Sequence, residues 1–240
     1  MKTIEFIYNG IDFVDAEKPV PAKSLIPEWY KDVKPYNGSS NKFNFNLSTG
    51  KVDNSTIKKC MPVLDSITAG YLIKTYCDIQ VVQDNGYPFY QWPETPTDEP
   101  AISFHGLNQL PGHPYTKTPY IAKNSLDIPK FNNLWSIKTP PGYSCLFITP
   151  SHHDVPIIIL PGIVDTDKYY GNIKLPFVLK DPKFEGLIEM GTPIVQVIPF
   201  KRDEWESDFY SKNNKPFVKH IRSMFVDGYK KIAWSRKNYN

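Results

Sequence analysis

A chain of 240 residues can hold one large domain or two small ones, and its composition, 40% hydrophobic and 22% charged, is globular and excludes a wholly disordered protein. Its net charge of +3 neither demands nor rules out nucleic acid. No window of eighteen apolar residues and no charged-then-apolar leader is present, so neither membrane insertion nor export by a cleaved signal is expected.

The 23 prolines, with aromatics at 14%, point to short, punctuated strands rather than a helical bundle. Ile4, Phe6 and Tyr8 alternate and predict a strand closed by Asn9-Gly10. Prolines break residues 19–35 but leave a helical turn at Ile26-Pro27-Glu28-Trp29-Tyr30-Lys31, where proline suits the first turn. Asn37-Gly38-Ser39-Ser40 reads as a turn. Residues 71–82, with Leu72, Ile73, Ile79, Val81 and Val82, predict a strand pair.

Residues 86–130 carry Pro88, Pro93, Pro96, Pro100, Pro111, Pro114, Pro119 and Pro129 and predict a proline-rich insertion without long helices. Tyr87, Phe89, Tyr90 and Trp92 crowd its start. Such a cluster can stack on bases or sugars, or anchor a protein interface, and the proline content favours the interface. A strand resumes at residues 135–138. Dense β pattern follows through residues 143–148, 155–160, 173–179 and 194–200. Phe217, Ile221, Met224, Phe225 and Tyr229 then take helical spacing, which predicts a C-terminal amphipathic helix weakened by Gly228. From residue 211 onward eight basic residues face one acid, Asp227, so this tail could touch phosphates or an acidic partner, or be a solvated helix face.

Three cysteines, Cys60, Cys77 and Cys145, give no disulfide framework and read as reduced, buried thiols. Cys145 lies in an apolar run, where a core thiol is expected rather than a nucleophile. His152 and His153 are adjacent and would point to opposite faces of a strand, which disfavours a shared metal ion. Asp165 and Asp167 flank Thr166. They could bind Mg²⁺ together, repel one another, or cap local backbone amides, and turn chemistry favours the last.

Three blocks carry a resemblance. Pro140-Pro141-Gly142-Tyr143 opens one strand, Gly162-Ile163-Val164-Asp165-Thr166-Asp167 runs on to Tyr169-Tyr170-Gly171, and Gly191-Thr192-Pro193-Ile194-Val195-Gln196 opens another. Their order resembles the dUTPase and dCTP-deaminase superfamily over residues 140–200, and Thr68-Ala69-Gly70-Tyr71 looks like its early motif with Leu72 in place of the acid. The resemblance implies an all-β, dUTPase-like β-clip or distorted jelly-roll, with residues 162–171 as a hairpin. It also implies a homotrimer. In an enzyme of this kind Asp165 would activate water, Tyr169 or Tyr170 would stack under the sugar, Gln196 would contact phosphate, and Mg²⁺ would assist. The phosphate turn of the family carries Arg-Ser-Gly. Here that place reads Thr149-Pro150-Ser151-His152-His153-Asp154, without arginine or glycine. Through the blocks Ile26 to Lys31, Lys59 to Tyr71, Trp135 to Tyr143, Gly162 to Asp167 and Gly191 to Trp205, the whole chain also resembles a family of proteins encoded by tailed bacteriophages, those of marine cyanobacteria in particular, which implies a source and no activity.

The expected organisation is a β-rich domain over 1–200, with its core in 56–82 and 135–200 and its insertion in 86–130, followed by a helical basic tail over 201–240. The expected role is a non-catalytic phage protein, a homo-oligomeric virion component located in the virion or host cytoplasm. Its partners would be other phage structural proteins, with no membrane and with nucleic acid left open. No cofactor is expected unless the enzyme reading holds. The competing readings are a dUTPase-type hydrolase and a nucleotide sensor.

Overall fold

The computed structural model describes residues 2–10, 17–38, 44–48, 51–52, 54–95, 97–106, 127–209 and 229–240. In chain order the strands are β1 (Glu5–Tyr8), β2 (Val20–Pro21), β3 (Phe45–Asn46), β4 (Lys51–Val52), β5 (Tyr71–Lys74), β6 (Ile79–Asp84), β7 (Tyr87–Gln91) and β8 (Ile102–Gly106). They continue with β9 (Asp127–Asn132), β10 (Trp135–Lys138), β11 (Tyr143–Ile148), β12 (Ile157–Ile159), β13 (Gly162–Val164), β14 (Lys174–Leu179), β15 (Gly186–Ile188) and β16 (Pro193–Lys201). Two short α-helices are described, α1 (Glu28–Asp32) and α2 (Met61–Thr68). The fold is all-β. Among the described residues no helix is long and apolar enough to cross a membrane.

The chain divides into two compact units. The first comprises Met1–Val20 and Gly70–Arg202. One of its sheets sets β13, β11, β16 and β5 side by side, a second runs β12-β14-β9-β8, a third β15-β6-β7, and β1 pairs with β10. The pairings are antiparallel, as in β11 against β16, where Ser144 faces Phe200 and Ile148 faces Gln196. Strand β16 is buried continuously from Ile194 to Val197, the signature of a strand covered on both faces. Ile73, Val81, Phe147, Ile157, Phe177 and Val197 are among the core residues. Phe131 stacks on Phe177 with ring centroids 4.3 Å apart. Burying each such side chain stabilises by about 1.5–3 kcal/mol.

The second unit comprises Pro21–Ala69 and Asp203–Asn240. Helix α1 follows Pro27 and buries Tyr30. Lys58 Nζ donates to the carbonyls of Tyr30 (2.5 Å) and Lys31 (3.2 Å), a cationic cap on carbonyls the helix leaves unpaired. Helix α2 has proline in its first turn and buries Met61 and Ile67. The Trp234 indole N–H donates to both Asp65 oxygens, at 3.0 and 2.9 Å, which ties the C-terminal segment to α2.

Several expectations change here. The described parts of residues 86–130 contain strands: β7 pairs with β6, and β8 and β9 form half of the four-stranded sheet, while residues 107–126 lie outside the described residues. Residues 61–68 are helical, not part of a β core. Residues 162–171 are not a hairpin of paired strands. Strand β13 pairs with β11, and the chain then passes to β14 in another sheet. Cys60 is exposed, whereas Cys77 and Cys145 are buried as free thiols. The amphipathic helix expected at Phe217, Ile221, Met224 and Phe225 lies outside the described residues, and Tyr229 opens a five-residue π-helical turn.

Candidate functional site

The Pro140-Pro141-Gly142-Tyr143 entry closes as a β-turn, with the Tyr143 N–H donating to Pro140 O at 3.2 Å. Gly142 has φ +84° at the third position, where a type II turn requires a residue free of a Cβ. Its N–H reaches Asp167 Oδ2 at 2.8 Å. Beyond β13 the chain folds back, and Asp165 O accepts from the N–H groups of Lys168 and Tyr169, both at 2.9 Å. Thr166 is buried under this turn. Its Oγ1 lies 2.8 Å from Thr139 Oγ1, and its hydroxyl donates to Cys145 Sγ at 3.4 Å. Burial pushes the Cys145 thiol up to about 11, against the pull of Thr166, so it is no thiolate nucleophile.

Arg202, the first residue after β16, closes the site. Its N–H donates to Gly142 O at 2.8 Å. Its Nη1 donates to Asp167 Oδ1 at 2.8 Å, to Ser144 Oγ at 2.9 Å and to Tyr143 O at 3.0 Å, while Nη2 meets Asp167 Oδ2. Nη1 also lies 3.2 Å from Asp165 Oδ1, which accepts from Ser144 Oγ at 2.6 Å. The Asp167 side chain is 5% exposed and that of Asp165 is 51%. The Arg202 guanidinium, opposed by burial and aided by the Gly142 N–H, holds Asp167 down to about 2.

Neither carboxylate simply caps its own turn, as the spacing suggests. Both converge on one guanidinium, which supplies the counter-charge that a divalent cation would otherwise bring. The pair therefore does not fit a resident Mg²⁺. Among the described residues no group of three or more His, Cys, Asp or Glu side chains is placed to hold a metal ion.

The turn at 149–154 is built otherwise. The His153 N–H donates to Pro150 O at 3.2 Å, and His152 sits at φ +62°, uncommon for a residue with a Cβ. The Ser151 N–H is taken by Gln196 Oε1 at 2.9 Å. Asp154 pairs with Lys180 at 2.9 Å. Burial, with His152 alongside, lowers the basicity of His153. An anion cradle needs converging free N–H groups and cations. This turn spends one of its amides on Gln196 and adds a carboxylate.

A comparison with solved structures matches the chain to phage dUTPases. Solved structures that the chain matches include a mutant dUTPase from phage phi11 of S. aureus. That match has 10% identity and a TM-score of 0.37, and covers 88% of this chain and 99% of that one. They also include a mutant dUTPase of Staphylococcus bacteriophage 80alpha with dUpNHpp, at 12% identity and TM-score 0.35, covering 88% of each chain. No protein-family model matches the sequence, and a search of curated proteins finds no match. Similarity at this level leaves the chemistry to the residues themselves.

The three residues of the enzyme reading do not meet within one chain. Asp165 is held at Ser144, whereas fully buried Gln196 lies opposite Ile148, four residues along β11 and so about 13 Å away. Tyr169 and Tyr170 are both exposed, and their hydroxyls donate locally, to Asn172 O (3.3 Å) and Asp167 O (3.0 Å). The aromatic cluster also divides, because strand side chains alternate between faces. Tyr90 packs edge-on to Phe177 at 5.6 Å, and Trp92 lies against the core. Phe89 is 51% exposed, and Tyr87 is half-buried.

Sequence reasoning missed Arg202 and Ser144. The available signal was the scarcity of arginine: of three in the chain, Arg202 alone lies just beyond a predicted strand, two residues after its end.

Proposed function

We propose that this chain is a non-catalytic phage protein that uses a dUTPase-like fold as an assembly module, a virion component of capsid, neck or tail that works as a homo-oligomer, a trimer by analogy with the superfamily. The observation that supports this most is the Arg202 contact with Asp165 and Asp167. A general base needs a carboxylate free to take a proton from water. Here Asp165 Oδ1 already accepts from Ser144 and faces Arg202. The turn at 149–154 adds to this. Three to four phosphate charges left without cations are costly to enclose.

Mass spectrometry of purified particles tests the reading: the chain is expected at stoichiometric copy number, and its absence from particles overturns it. Thermal unfolding with a panel of deoxynucleoside triphosphates and Mg²⁺ is the complement. A ligand at 100 times its Kd adds about 2.7 kcal/mol, and no such stabilisation is expected.

The second reading is a dUTPase-type triphosphate hydrolase or a nucleotide sensor. It draws on the half-exposed Asp165 and the exposed Tyr169 on one turn. Pyrophosphate release that disappears in Asp165→Asn would establish the hydrolase.

A further inference from the structure

After β16 the chain runs without regular structure through residues 203–209, and every one of these residues is exposed. Two are large aromatics, Trp205 at 90% and Phe209 at 91% exposure. Four are acids, Asp203, Glu204, Glu206 and Asp208, and none is basic. A lone exposed apolar side chain is ordinary, but a Trp and a Phe four residues apart and both almost fully in water are not. The order alternates as well. In an extended, strand-like conformation Trp205, Ser207 and Phe209 would share one face and Glu204, Glu206 and Asp208 the other. The aromatics would stand about 13 Å apart, a two-anchor peptide with an acidic back.

The described residues leave the Trp205 and Phe209 side chains almost wholly in water, so a second surface is free to cover them. Nucleic acid and anionic surfaces are excluded by like charge. The chain itself carries the complementary surface. Residues 229–240 are tethered to α2 by Trp234 and by Lys237, whose ammonium lies 2.6 Å from Asp65. Lys230, Lys231 and Arg236 on that segment are exposed. A cationic surface with flexible aliphatic stems suits aromatic anchors flanked by carboxylates.

We propose that residues 203–209 are a docking arm that seats Trp205 and Phe209 on the basic C-terminal segment of a second copy of this chain. The exchange is reciprocal or head-to-tail, each copy offering one arm and one basic surface. It does not depend on whether the fold retains nucleotide chemistry.

Sedimentation equilibrium of the full chain tests this at about 0.1 and 0.5 M salt, concentrations that separate screened from unscreened charge. Wild type is expected to show an association step that weakens with salt. Trp205→Ala weakens that step at least about tenfold, as for a central aromatic anchor, and Phe209→Ala weakens it in the same direction. The triple variant Lys230→Glu, Lys231→Glu, Arg236→Glu loses it too. An equimolar mixture of Trp205→Ala and triple-variant chains regains it, because one supplies the surface and the other the arm. Unchanged circular dichroism and thermal midpoints establish that the variants fold. The proposal is overturned if no salt-sensitive step exists, if Trp205→Ala or the triple variant associates as wild type does, or if the mixture fails to complement. A salt-insensitive oligomer that survives Trp205→Ala would overturn the arm and leave the assembly-module reading standing.

Discussion

Arg202 and Asp167 meet through two parallel contacts, Nη1 to Oδ1 at 2.8 Å and Nη2 to Oδ2, although 35 residues separate them in the chain. The fork geometry of guanidinium and carboxylate makes this the strongest kind of side-chain pair, and it joins the end of β16 to the turn beyond β13.

Removing the arginine should cost more than removing either acid's charge. Arg202→Ala leaves Asp167, with a 5% exposed side chain, without its counter-charge and with only backbone N–H partners such as that of Gly142. The expected order of thermal midpoints is Arg202→Ala lowest, then Asp167→Asn, then Asp165→Asn close to wild type, because Asp165 is half in solvent. Differential scanning calorimetry checks the order, and a midpoint for Arg202→Ala equal to wild type would contradict the latch.

Acid should loosen the same contact in a defined window. Asp167 ordinarily titrates near 3.8 and is held to about 2 in the fold. A depressed carboxylate contributes stability that is fully present above its unfolded value and lost as pH falls through the folded one. Chemical denaturation between about pH 5 and 2 should therefore show a loss of stability in wild type that Asp167→Asn lacks.

Two glycines separate backbone strain from steric clash. Gly142 has φ +84° with nothing within 4 Å of a built Cβ, so Gly142→Ala should cost about 1–2 kcal/mol from the left-handed backbone alone. Gly70 has φ +66°, and a Cβ there would lie 2.0 Å from Val197 O. Gly70→Ala adds a collision with the backbone of β16 to the strain and should be the more damaging. Urea unfolding of the pair measures the difference.

Gln196 offers a further separation between brace and ligand contact. Gln196→Ala strips the part-buried Ser151 N–H of its acceptor in the 149–154 turn and should destabilise by about 1–3 kcal/mol. Calorimetric titration with deoxynucleoside triphosphates should be flat for both proteins. Nucleotide binding in wild type that vanishes in Gln196→Ala would return the residue to a phosphate site.

Much of the β architecture was legible as pattern. Alternation at Ile4, Phe6 and Tyr8 and the apolar runs in 143–148 and 194–200 correspond to β1, β11 and β16. Helix α2 was not, since eight residues span barely two turns and give no sustained period. Strand β7 was hidden by Pro88, which an edge strand tolerates, and among the described residues β7 pairs only with β6. The density of Tyr87, Phe89, Tyr90 and Trp92 is visible in sequence, while the packing of Tyr90 and Trp92 against the core is not.

What the sequence determined by itself is local: where strands start and stop, that Gly142 must turn, and that no arginine lies in 149–154. Those properties follow from the backbone preferences of a few neighbouring residues. Only the tertiary structure decided that Arg202 reaches Asp165 and Asp167, and that Gln196 faces inward to hold Ser151. Both depend on the register of β11 against β16, where a shift of one residue would turn every side chain to the other face.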